Sequence, residues 1–168
     1  AVVIGHGELH WRSVLADAAA GGLKPRYGSL DDDYDFAGAP MPAFELLDID
    51  RYNRLTVQTS RGCPHRCEFC AGSVLFCRAY RQKPAANVLA ELDRIRALWK
   101  HPFIELADDN SFVNRAYWME LLPEIAKRRI RWFTETDISV GENAGLLELL
   151  RKSGCAEVLI GLESPVAS

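Results

Sequence analysis

The sequence predicts an α/β protein organised around a parallel β-sheet, and its patterning and length lead to that prediction. From Leu55 onward, short apolar runs typical of strands alternate with stretches whose apolar residues recur at helical spacing. Strands joined in this way are connected by right-handed βαβ crossovers, which place them side by side and parallel. With 168 residues, 48% of them hydrophobic, the chain is long enough to bury the core of about one domain.

The regular part of the chain contains four predicted strands and three predicted helices. The strands are "LTVQT", "FIELA", "IRWFTET" and "EVLIG", at residues 55–59, 103–107, 130–136 and 157–161. Pro84 is expected to open the first helix and Asn114 to cap the second, while Gly154 ends the third. Pro123 lies inside the second helical stretch and is expected to kink or shorten it.

Residues 1–22 precede this pattern and contain one short strand, "VVI", and a helix over "ELHWRSVLADAAA" that ends at Gly21. Because a lone strand cannot pair its own backbone groups, this segment is predicted to be the last βα unit of a preceding α/β domain. Residues 23–54 carry "LDDDYD" and "APMPAF" without periodicity and are predicted to be a linker. The opening has no initiating Met, which favours a piece of a longer protein.

Composition argues against several classes of protein. The formal net charge is −3 and no long Lys/Arg block is present, so the chain lacks the charge pattern of nucleic-acid or anionic-membrane binding. No stretch approaches the roughly 18 apolar residues of a membrane span. The five cysteines are odd in number and unevenly clustered, which argues against a secreted disulfide framework and favours the reducing cytoplasm.

The predicted topology indicates where chemistry would occur. In parallel α/β sheets, the loops that leave the carboxyl ends of the strands share one edge, and ligands bind there. That edge gathers the cysteine-rich stretch "SRGCPHRCEFC" and a set of polar and acidic residues, Asp108, Asp109, Asn110, Glu135, Asp137 and Glu163. The opposite edge gathers the turns "HP" and "KRR".

Three cysteines, Cys63, Cys67 and Cys70, lie within eight positions directly after the first strand. A structural zinc site wants four ligands, and here His65 would have to be the fourth on a short tether. A thioredoxin-like dithiol at Cys67 and Cys70 would leave Cys63 unused. Inert core cysteines are a further alternative, although this polar loop is poor core material. Three thiolates suit a 4Fe-4S cluster whose fourth iron stays open to a substrate or cofactor.

With these residues the sequence resembles the radical S-adenosylmethionine enzymes. Their cluster motif is CxxxCxxC with an aromatic residue before the last cysteine, which corresponds here to Cys63, Cys67, Phe69 and Cys70. The segments "VVIGHGE", "YRQKP", "ADDNSF" and "SGCAEVLIGLES" are similar to the subgroup in which a cobalamin-binding domain precedes the radical domain. The opening of that subgroup usually reads G-E-G-E, whereas this chain has "GHGE".

The resemblance implies a partial (βα)6 radical S-adenosylmethionine barrel, with about the first four βα units in residues 55–168. Residues 1–22 would then be the C-terminal remnant of a Rossmann-like cobalamin-binding domain. In the family, the three cysteines bind three irons and S-adenosylmethionine chelates the fourth. Reduction of the cluster cleaves S-adenosylmethionine to methionine and a 5'-deoxyadenosyl radical.

The resemblance also implies partners. A flavodoxin or ferredoxin would donate the electron, and the substrate would be a small molecule or a peptide that the sequence does not identify. Cobalamin, which serves methyl transfer in some members, is an expectation for the full-length parent only. A noncatalytic iron-sulfur or zinc module for structure or electron transfer is the alternative, but an electron-transfer cluster would normally want a fourth nearby cysteine.

Several cofactor contacts follow from the same resemblance, and no catalytic residue is identified. Phe69 corresponds to the aromatic beside the adenine, with a core residue as its alternative. Asp108 or Asp109 would bind the methionine ammonium, where many members carry Gly-Gly-Glu, with a capped turn as the alternative. Glu163 corresponds to a position that binds the ribose hydroxyls, with an exposed helix-start carboxylate as the alternative.

Four other conspicuous residues are expected to be structural. Tyr80 and Arg81 match a recurring pair that follows the cluster loop in the family. Cys155 enters a predicted buried strand, and Cys77 lies outside the motif, so both are expected to be packing residues rather than ligands.

Overall fold

The computed structural model describes residues 1–65, 67–72 and 80–162. The chain divides into two compact units, Ala1–Pro40 and Met41–Ser168. Within the described residues, no helix is long and apolar enough to cross a membrane.

The first unit is a small βαβ arrangement made of β1 (Val2–Val3), α1 (Gly7–Ala19) and β2 (Arg26–Tyr27). Strands β1 and β2 pair in parallel, so the predicted lone βα unit in fact has a second strand. Tyr27 is buried, and its hydroxyl donates a hydrogen bond of 2.8 Å to Asp17 on α1. Sequence patterning missed β2 because two residues are too few to show a period of two.

The predicted linker, residues 23–54, contains ordered and packed elements. Besides β2 it forms three short 3-10 turns, at Phe36–Gly38, Phe44–Leu46 and Ile49–Arg51. Phe36 is buried within the first unit, and Phe44 belongs to the hydrophobic core of the second. This stretch is therefore partly ordered and contributes buried apolar side chains to the structure.

In its described residues, the second unit contains six strands and three α-helices. The strands are β3 (Leu55–Val57), β4 (Ser60–Arg61), β5 (Arg81–Gln82), β6 (Phe103–Leu106), β7 (Arg131–Thr136) and β8 (Cys155–Ile160), and the helices are α2 (Ala85–Leu98), α3 (Arg115–Arg128) and α4 (Ala144–Ser153). The main sheet has the order β3-β6-β7-β8 and all its pairs are parallel, as the alternation of strands and helices predicts. Strands β4 and β5 form a separate antiparallel pair, which was not predicted.

The helix ends follow their sequence signals, with one exception. The side chain of Asn114 caps α3 by accepting from the Tyr117 amide, and Gly154 ends α4 in a left-handed conformation at φ 87°. Pro123 does not shorten α3, which continues to Arg128. A proline inside a helix costs about 3 kcal/mol. Burial of an apolar side chain returns roughly 1.5–3 kcal/mol each, and the core-facing stripe of α3 supplies four, Trp118, Leu121, Leu122 and Ile125.

The hydrophobic core lies where the helices cover the parallel sheet. At its centre the rings of Trp118 on α3 and Trp132 on β7 stack with centroids 6.3 Å apart. The indole nitrogen of Trp132 donates 3.0 Å to the carbonyl of Ser153, so its buried polar atom is satisfied. This packing fixes the four strands rigidly and thereby sets the positions of the loops at both ends of the sheet.

Candidate functional site

The loops at the carboxyl ends of the parallel strands surround a cavity of about 620 Å³. Its described lining combines three kinds of side chain. They are the thiols of Cys63, Cys67 and Cys70, a polar group that includes His65, Asp109, Asn110, Glu135 and Asp137, and an apolar group that includes Phe69, Ile138, Leu159 and Ile160. The sheet edge predicted to carry chemistry therefore does gather the cysteines and most of the acidic residues.

The three cysteines lie in a loop that begins just after β4, and none of them is in a disulfide. Cys63 and Cys70 are half-buried, whereas Cys67 is exposed. The amide of Cys70 donates 3.0 Å to the carbonyl of Cys67, a turn that brings these two residues round to one side of the loop.

This donor set fits an iron-sulfur cluster. Among residues 1–65, 67–72 and 80–162, no group of three His, Cys, Asp or Glu side chains is arranged to hold a single metal ion. The cysteines of a 4Fe-4S cluster each bind a different iron, and three thiols that line one cavity suit such a cluster.

Asp108 anchors the start of the cysteine loop instead of lining the cavity. Its side chain is only 4% exposed. One carboxylate oxygen accepts from the amides of Thr59 and Ser60 at 2.7 and 2.8 Å, and the other accepts from the hydroxyls of Thr59 and Ser111 at 2.5 and 3.0 Å. Burial raises the pKa of Asp108 above its ordinary value, while these hydrogen bonds oppose the rise. The carboxylate is thus fully used within the protein.

Asp109 stands at the same strand end but lines the cavity. Its Oδ2 accepts 2.7 Å from the amide of Gly62, the residue that precedes Cys63. Within the described part of the chain, Oδ1 has no hydrogen-bond partner, so one carboxylate oxygen is available to a ligand. The sequence left Asp108 and Asp109 as equal alternatives for a cofactor contact, and only Asp109 has a free acceptor beside the thiols.

Asn110 connects the cysteine loop to the loop after β7. The side chain is 5% exposed, and its Oδ1 accepts from the Thr136 hydroxyl at 2.9 Å and the Asp137 amide at 3.3 Å. These contacts fix the orientation of the amide, whose Nδ2 donates 2.8 Å to Asp137 Oδ2 and lies 4.0 Å from Cys63 Sγ. Sequence analysis placed Asn110 at this edge but assigned it no role, and its position next to Asp108 and Asp109 was the signal that could have indicated one.

Asp137 is held ionised at the rim of the cavity. Desolvation by burial alone would raise its pKa, but hydrogen bonds from Ser139 and Asn110 outweigh that effect and lower it. His65 Nε2 lies 3.8 Å from Asp137 Oδ2. The site therefore carries fixed negative charge opposite the thiols, where an ammonium or another cation would bind favourably.

Phe69 lines the cavity with 67% of its surface exposed. The alternative that it is a core residue is therefore wrong, because a core phenylalanine would be nearly inaccessible. An exposed aromatic ring beside a concave, partly apolar wall has the character of a ligand contact.

The β4–β5 pair encloses the cysteine loop between its strands. Gln82 Nε2 and the Lys83 amide both donate 2.8 Å to the carbonyl of Thr59. Tyr80 donates a short hydrogen bond to Gln82, and burial raises the pKa of the Tyr80 hydroxyl. The expectation of a structural role for Tyr80 agrees with these contacts, while Arg81 supplies the first residue of β5.

The remaining predicted residues have different outcomes. Glu163 and Cys77 lie outside the described residues. Cys155 packs against the core, as expected, and burial raises the pKa of its thiol to about 11.

A parallel α/β sheet whose carboxyl edge presents three cysteines, with an open acidic and aromatic cavity beside them, defines the class of iron-sulfur enzymes that bind a small cofactor at the cluster. The family model described as the radical SAM superfamily matches residues 57–166, about two thirds of the chain, so the protein belongs to that superfamily. Its cofactors are accordingly a 4Fe-4S cluster and S-adenosylmethionine, in agreement with the prediction.

Several curated proteins are similar to this chain. An uncharacterized methyltransferase, sll1242, of Synechocystis is 33% identical over 137 residues, which are 78% of this chain and 26% of that protein. The hopanoid C-2 methylase of Rhodopseudomonas palustris is 30% identical over 82% of this chain and 27% of its own length. The chain thus spans about a quarter of the length of these relatives.

The solved structures that are similar in fold include a methyltransferase. It is TsrM from Kitasatospora setae, a radical S-adenosylmethionine methyltransferase with cobalamin and a 4Fe-4S cluster bound. The TM-score is 0.59 at 23% identity, over 65% of this chain and 22% of TsrM. At that identity the likeness establishes the shared fold alone.

Proposed function

We propose that this chain carries the cluster-binding part of an enzyme that cleaves S-adenosylmethionine reductively and, in the whole protein, transfers a methyl group with the help of cobalamin. The observation that carries the proposal is one cavity at the carboxyl edge of the sheet, lined by all three motif cysteines together with Phe69 and Asp109. Methyl transfer is supported by the methyltransferase and methylase names of the relatives, and cobalamin by the ligands of TsrM.

The residues would divide the work as follows. Cys63, Cys67 and Cys70 would each hold one iron, leaving the fourth iron open to S-adenosylmethionine. Bound together, the two cofactors supply an electron and a 5'-deoxyadenosyl radical. Phe69 would lie against the adenine, and Asp109 would accept a charge-assisted hydrogen bond from the methionine ammonium through its free oxygen.

Two further assignments belong to the same proposal. Glu163, just beyond β8, would accept from the ribose hydroxyls. Asp108 is assigned a supporting role, because its four hydrogen bonds leave no acceptor for the cofactor.

The wider architecture is proposed on the same basis. The four parallel strands would be the first part of a (βα)6 barrel, and the βαβ unit of residues 1–40 would come from a Rossmann-like cobalamin-binding domain. We further propose a cytoplasmic enzyme, since its free thiols need a reducing compartment, with a flavodoxin or ferredoxin as electron donor and a small molecule or peptide as substrate.

Anaerobic reconstitution of the full-length protein tests the proposal. We expect close to four irons and four sulfides per chain, and reductive formation of 5'-deoxyadenosine when S-adenosylmethionine is added. Replacing Cys63, Cys67 or Cys70 by Ala is expected to abolish cluster assembly. Cys155→Ala is the matched control, and its iron content is expected to stay near that of the parent because Cys155 packs against the core.

Two results would contradict the proposal in different ways. Stoichiometric zinc without inorganic sulfide would indicate a structural zinc module. A cluster whose electron paramagnetic resonance spectrum does not change when S-adenosylmethionine is added would indicate a noncatalytic electron-transfer module.

The methyl-transfer part of the proposal needs its own test. One relative is named as an anaerobic magnesium-protoporphyrin IX monomethyl ester cyclase rather than a methyltransferase, so the cobalamin content of the full-length protein is measured separately. If the full-length protein contained no bound corrinoid, only the methyl-transfer part of the proposed function would be excluded.

A further inference from the structure

A second cavity, of about 420 Å³, lies at the opposite end of the main sheet, where β6 and β7 begin. Its lining includes six basic side chains, Arg96, Lys100, His101, Arg128, Arg129 and Arg131. We call this cavity the basic pocket. It corresponds to the "HP" and "KRR" turns of the sequence, which the proposed function does not use.

The basic residues reach the pocket from two neighbouring helix-to-strand connections. Arg96 is in the last turn of α2, and Lys100 and His101 follow that helix. Arg128 is the last residue of α3, and Arg131 is the first residue of β7. Because β6 and β7 are adjacent and parallel, the two connections must lie side by side, so the clustering follows from the topology.

The charges in this pocket are not balanced by the protein. Its lining holds five permanently positive side chains, four arginines and one lysine. Asp93 is the carboxylate in contact with them in the described part of the chain, at 3.6 Å from Arg96 and 2.7 Å from Arg128. The carboxyl ends of α2 and α3 add roughly half a negative charge each. An excess of about three positive charges remains after these offsets.

The favourable interaction of cations with helix ends therefore does not account for the whole cluster. At the end of α4, the comparable Arg151 and Lys152 each pair with Glu148, at 2.9 and 3.2 Å. In the described structure, four members of the basic pocket have no such ion pair, namely Lys100, His101, Arg129 and Arg131. Like charges held in one concavity repel each other unless an anion lies among them.

Two structural details indicate an anion as the missing partner. The guanidinium of Arg128 donates to the Glu124 carbonyl and to Asp93, but its buried Nε has no hydrogen-bond partner among the described residues. Arg129 adopts a left-handed conformation, φ 52°, at the helix end where glycine is favoured and where α4 has Gly154. An arginine at this position costs conformational free energy relative to glycine, and a functional role for the side chain would explain its presence.

We propose that the basic pocket binds a small, multiply charged anion of the diphosphate or triphosphate class. Guanidinium groups match phosphate oxygens in paired hydrogen bonds, and a charge of about minus three complements the excess in the pocket. A concave site of this volume suits a small ligand better than the flat surface of a protein partner. The pocket lies at the opposite end of the strands from the thiols, so the inference is independent of the proposed function.

Titration calorimetry of the whole chain with inorganic pyrophosphate tests this inference at about 0.1 M salt, where exposed charges are screened beyond about 10 Å. We expect pyrophosphate to saturate one site per chain, and we expect inorganic tripolyphosphate to compete for that site. Arg129→Gln and Arg131→Gln are each expected to weaken binding by about ten- to a hundredfold, since each removes a charge-assisted hydrogen bond. Arg151→Gln is the control of equal charge change and is expected to bind pyrophosphate like the parent.

Arg129→Gly separates binding from folding. Glycine suits the left-handed conformation, so this variant is expected to keep or raise the melting temperature while losing pyrophosphate affinity. Lack of saturable binding up to about 1 mM, or an equal loss in Arg151→Gln, would overturn the inference. Displacement of pyrophosphate by acetate at equal ionic strength would overturn it as well, because the pocket would then bind any anion without a preference for phosphate groups. Binding of an acidic polypeptide without pyrophosphate binding would instead identify a protein-docking surface.

Discussion

At the scale of single residues, two adjacent carboxylates at the end of β6 have different surroundings. Asp108 is buried and accepts four hydrogen bonds, whereas Asp109 borders the cavity and, among the described residues, accepts one hydrogen bond, from the Gly62 amide. The chain turns directly after β6, where the Asp108 amide donates 3.0 Å to the Leu106 carbonyl, and the two side chains reach different environments. The two positions can therefore be distinguished by matched substitutions.

Asp108→Asn is expected to lower the stability of the protein, whereas Asp109→Asn is expected to weaken cofactor binding. The first replaces an acceptor by an amide group that faces backbone donors, and we expect a loss of roughly 1.5–3 kcal/mol in the free energy of unfolding. The second is expected to keep its stability and its iron while binding S-adenosylmethionine about tenfold or more weakly. Urea unfolding and cofactor titration of the reconstituted protein measure the two effects. Unchanged cofactor binding in Asp109→Asn would show that Asp109 only caps the turn and does not contact the cofactor.

Asn110 is predicted to raise the reduction potential of the cluster. Its Nδ2 is 4.0 Å from Cys63 Sγ, and hydrogen bonds to cluster sulfurs shift the potential. Asn110→Ala is expected to lower the midpoint by tens of millivolts, and Asn110→Asp by more, because a carboxylate beside the sulfur disfavours added negative charge. A redox titration followed by electron paramagnetic resonance measures the order. Ser139→Ala removes the Ser139 hydroxyl near Asp137 but keeps the backbone amide that donates to this carboxylate, so it is the control and should leave the potential unchanged.

Cys155 is predicted to resist alkylation that modifies the cluster cysteines. Its pKa of about 11 means that at pH 8 only about one thiol in a thousand is ionised, and the thiolate is the reactive form. In the native apo-protein, iodoacetamide is expected to label exposed Cys67 well before Cys155, as read by peptide mass spectrometry. Equal labelling at pH 8 in folded protein would contradict the buried environment, while equal labelling in urea is expected.

At the scale of elements, the short β4–β5 pair holds both ends of the cysteine loop. The Thr59 carbonyl receives hydrogen bonds from Gln82 and Lys83, so the strand after the loop is tied to the strand before it. Lys83 then reaches Glu91 on α2 at 2.7 Å, and both side chains are about 95% buried. This buried ion pair joins the loop to the helix layer.

Breaking that ion pair is predicted to be more harmful than replacing it. Lys83→Met leaves the Glu91 carboxylate buried without its partner, and we expect a loss of about 3–5 kcal/mol in unfolding free energy. Lys83→Met combined with Glu91→Leu is expected to recover much of that loss, because an apolar pair has no buried charge. Urea unfolding of the parent, both single variants and the double variant gives the coupling energy. A double variant as unstable as the sum of the single ones would exclude coupling.

At the scale of the whole molecule, the two units differ in the size of their sheets and in the cavities they contain. The unit Met41–Ser168 contains the parallel sheet, the core and both cavities, whereas the unit Ala1–Pro40 contains one helix and one two-stranded sheet. On β8, an edge strand of the main sheet among the described residues, Leu159 borders the thiol cavity with 59% of its surface exposed. The apolar wall of that cavity is therefore open to a ligand.

The 168-residue chain by itself is predicted not to retain cobalamin, whatever the full-length protein does. A corrinoid needs a broad sheet edge with several loops, and the unit Ala1–Pro40 has a sheet of two strands, each two residues long. Gel filtration after incubation with hydroxocobalamin should give a protein peak without corrinoid absorbance. Coelution at stoichiometric amounts would show that this unit suffices.

The sequence by itself determined the parallel sheet, the helix ends and the cysteine motif. Strand and helix periodicity, Asn114 and Gly154 are local signals, so they survive without knowledge of the rest of the fold. The spacing of Cys63, Cys67 and Cys70 is likewise local, which is why the cluster motif and its family were recognisable.

Only the tertiary structure decided the roles of residues whose partners are distant in sequence. Asp108 is separated by 49 residues from Thr59, and Asn110 by 47 from Cys63, so no window of sequence contains either contact. Strand β2 was too short to show a period, and α3 passes Pro123 because core burial on its neighbours outweighs one lost hydrogen bond. The basic pocket has the same origin, since its charges meet only after adjacent parallel strands bring two separate turns together.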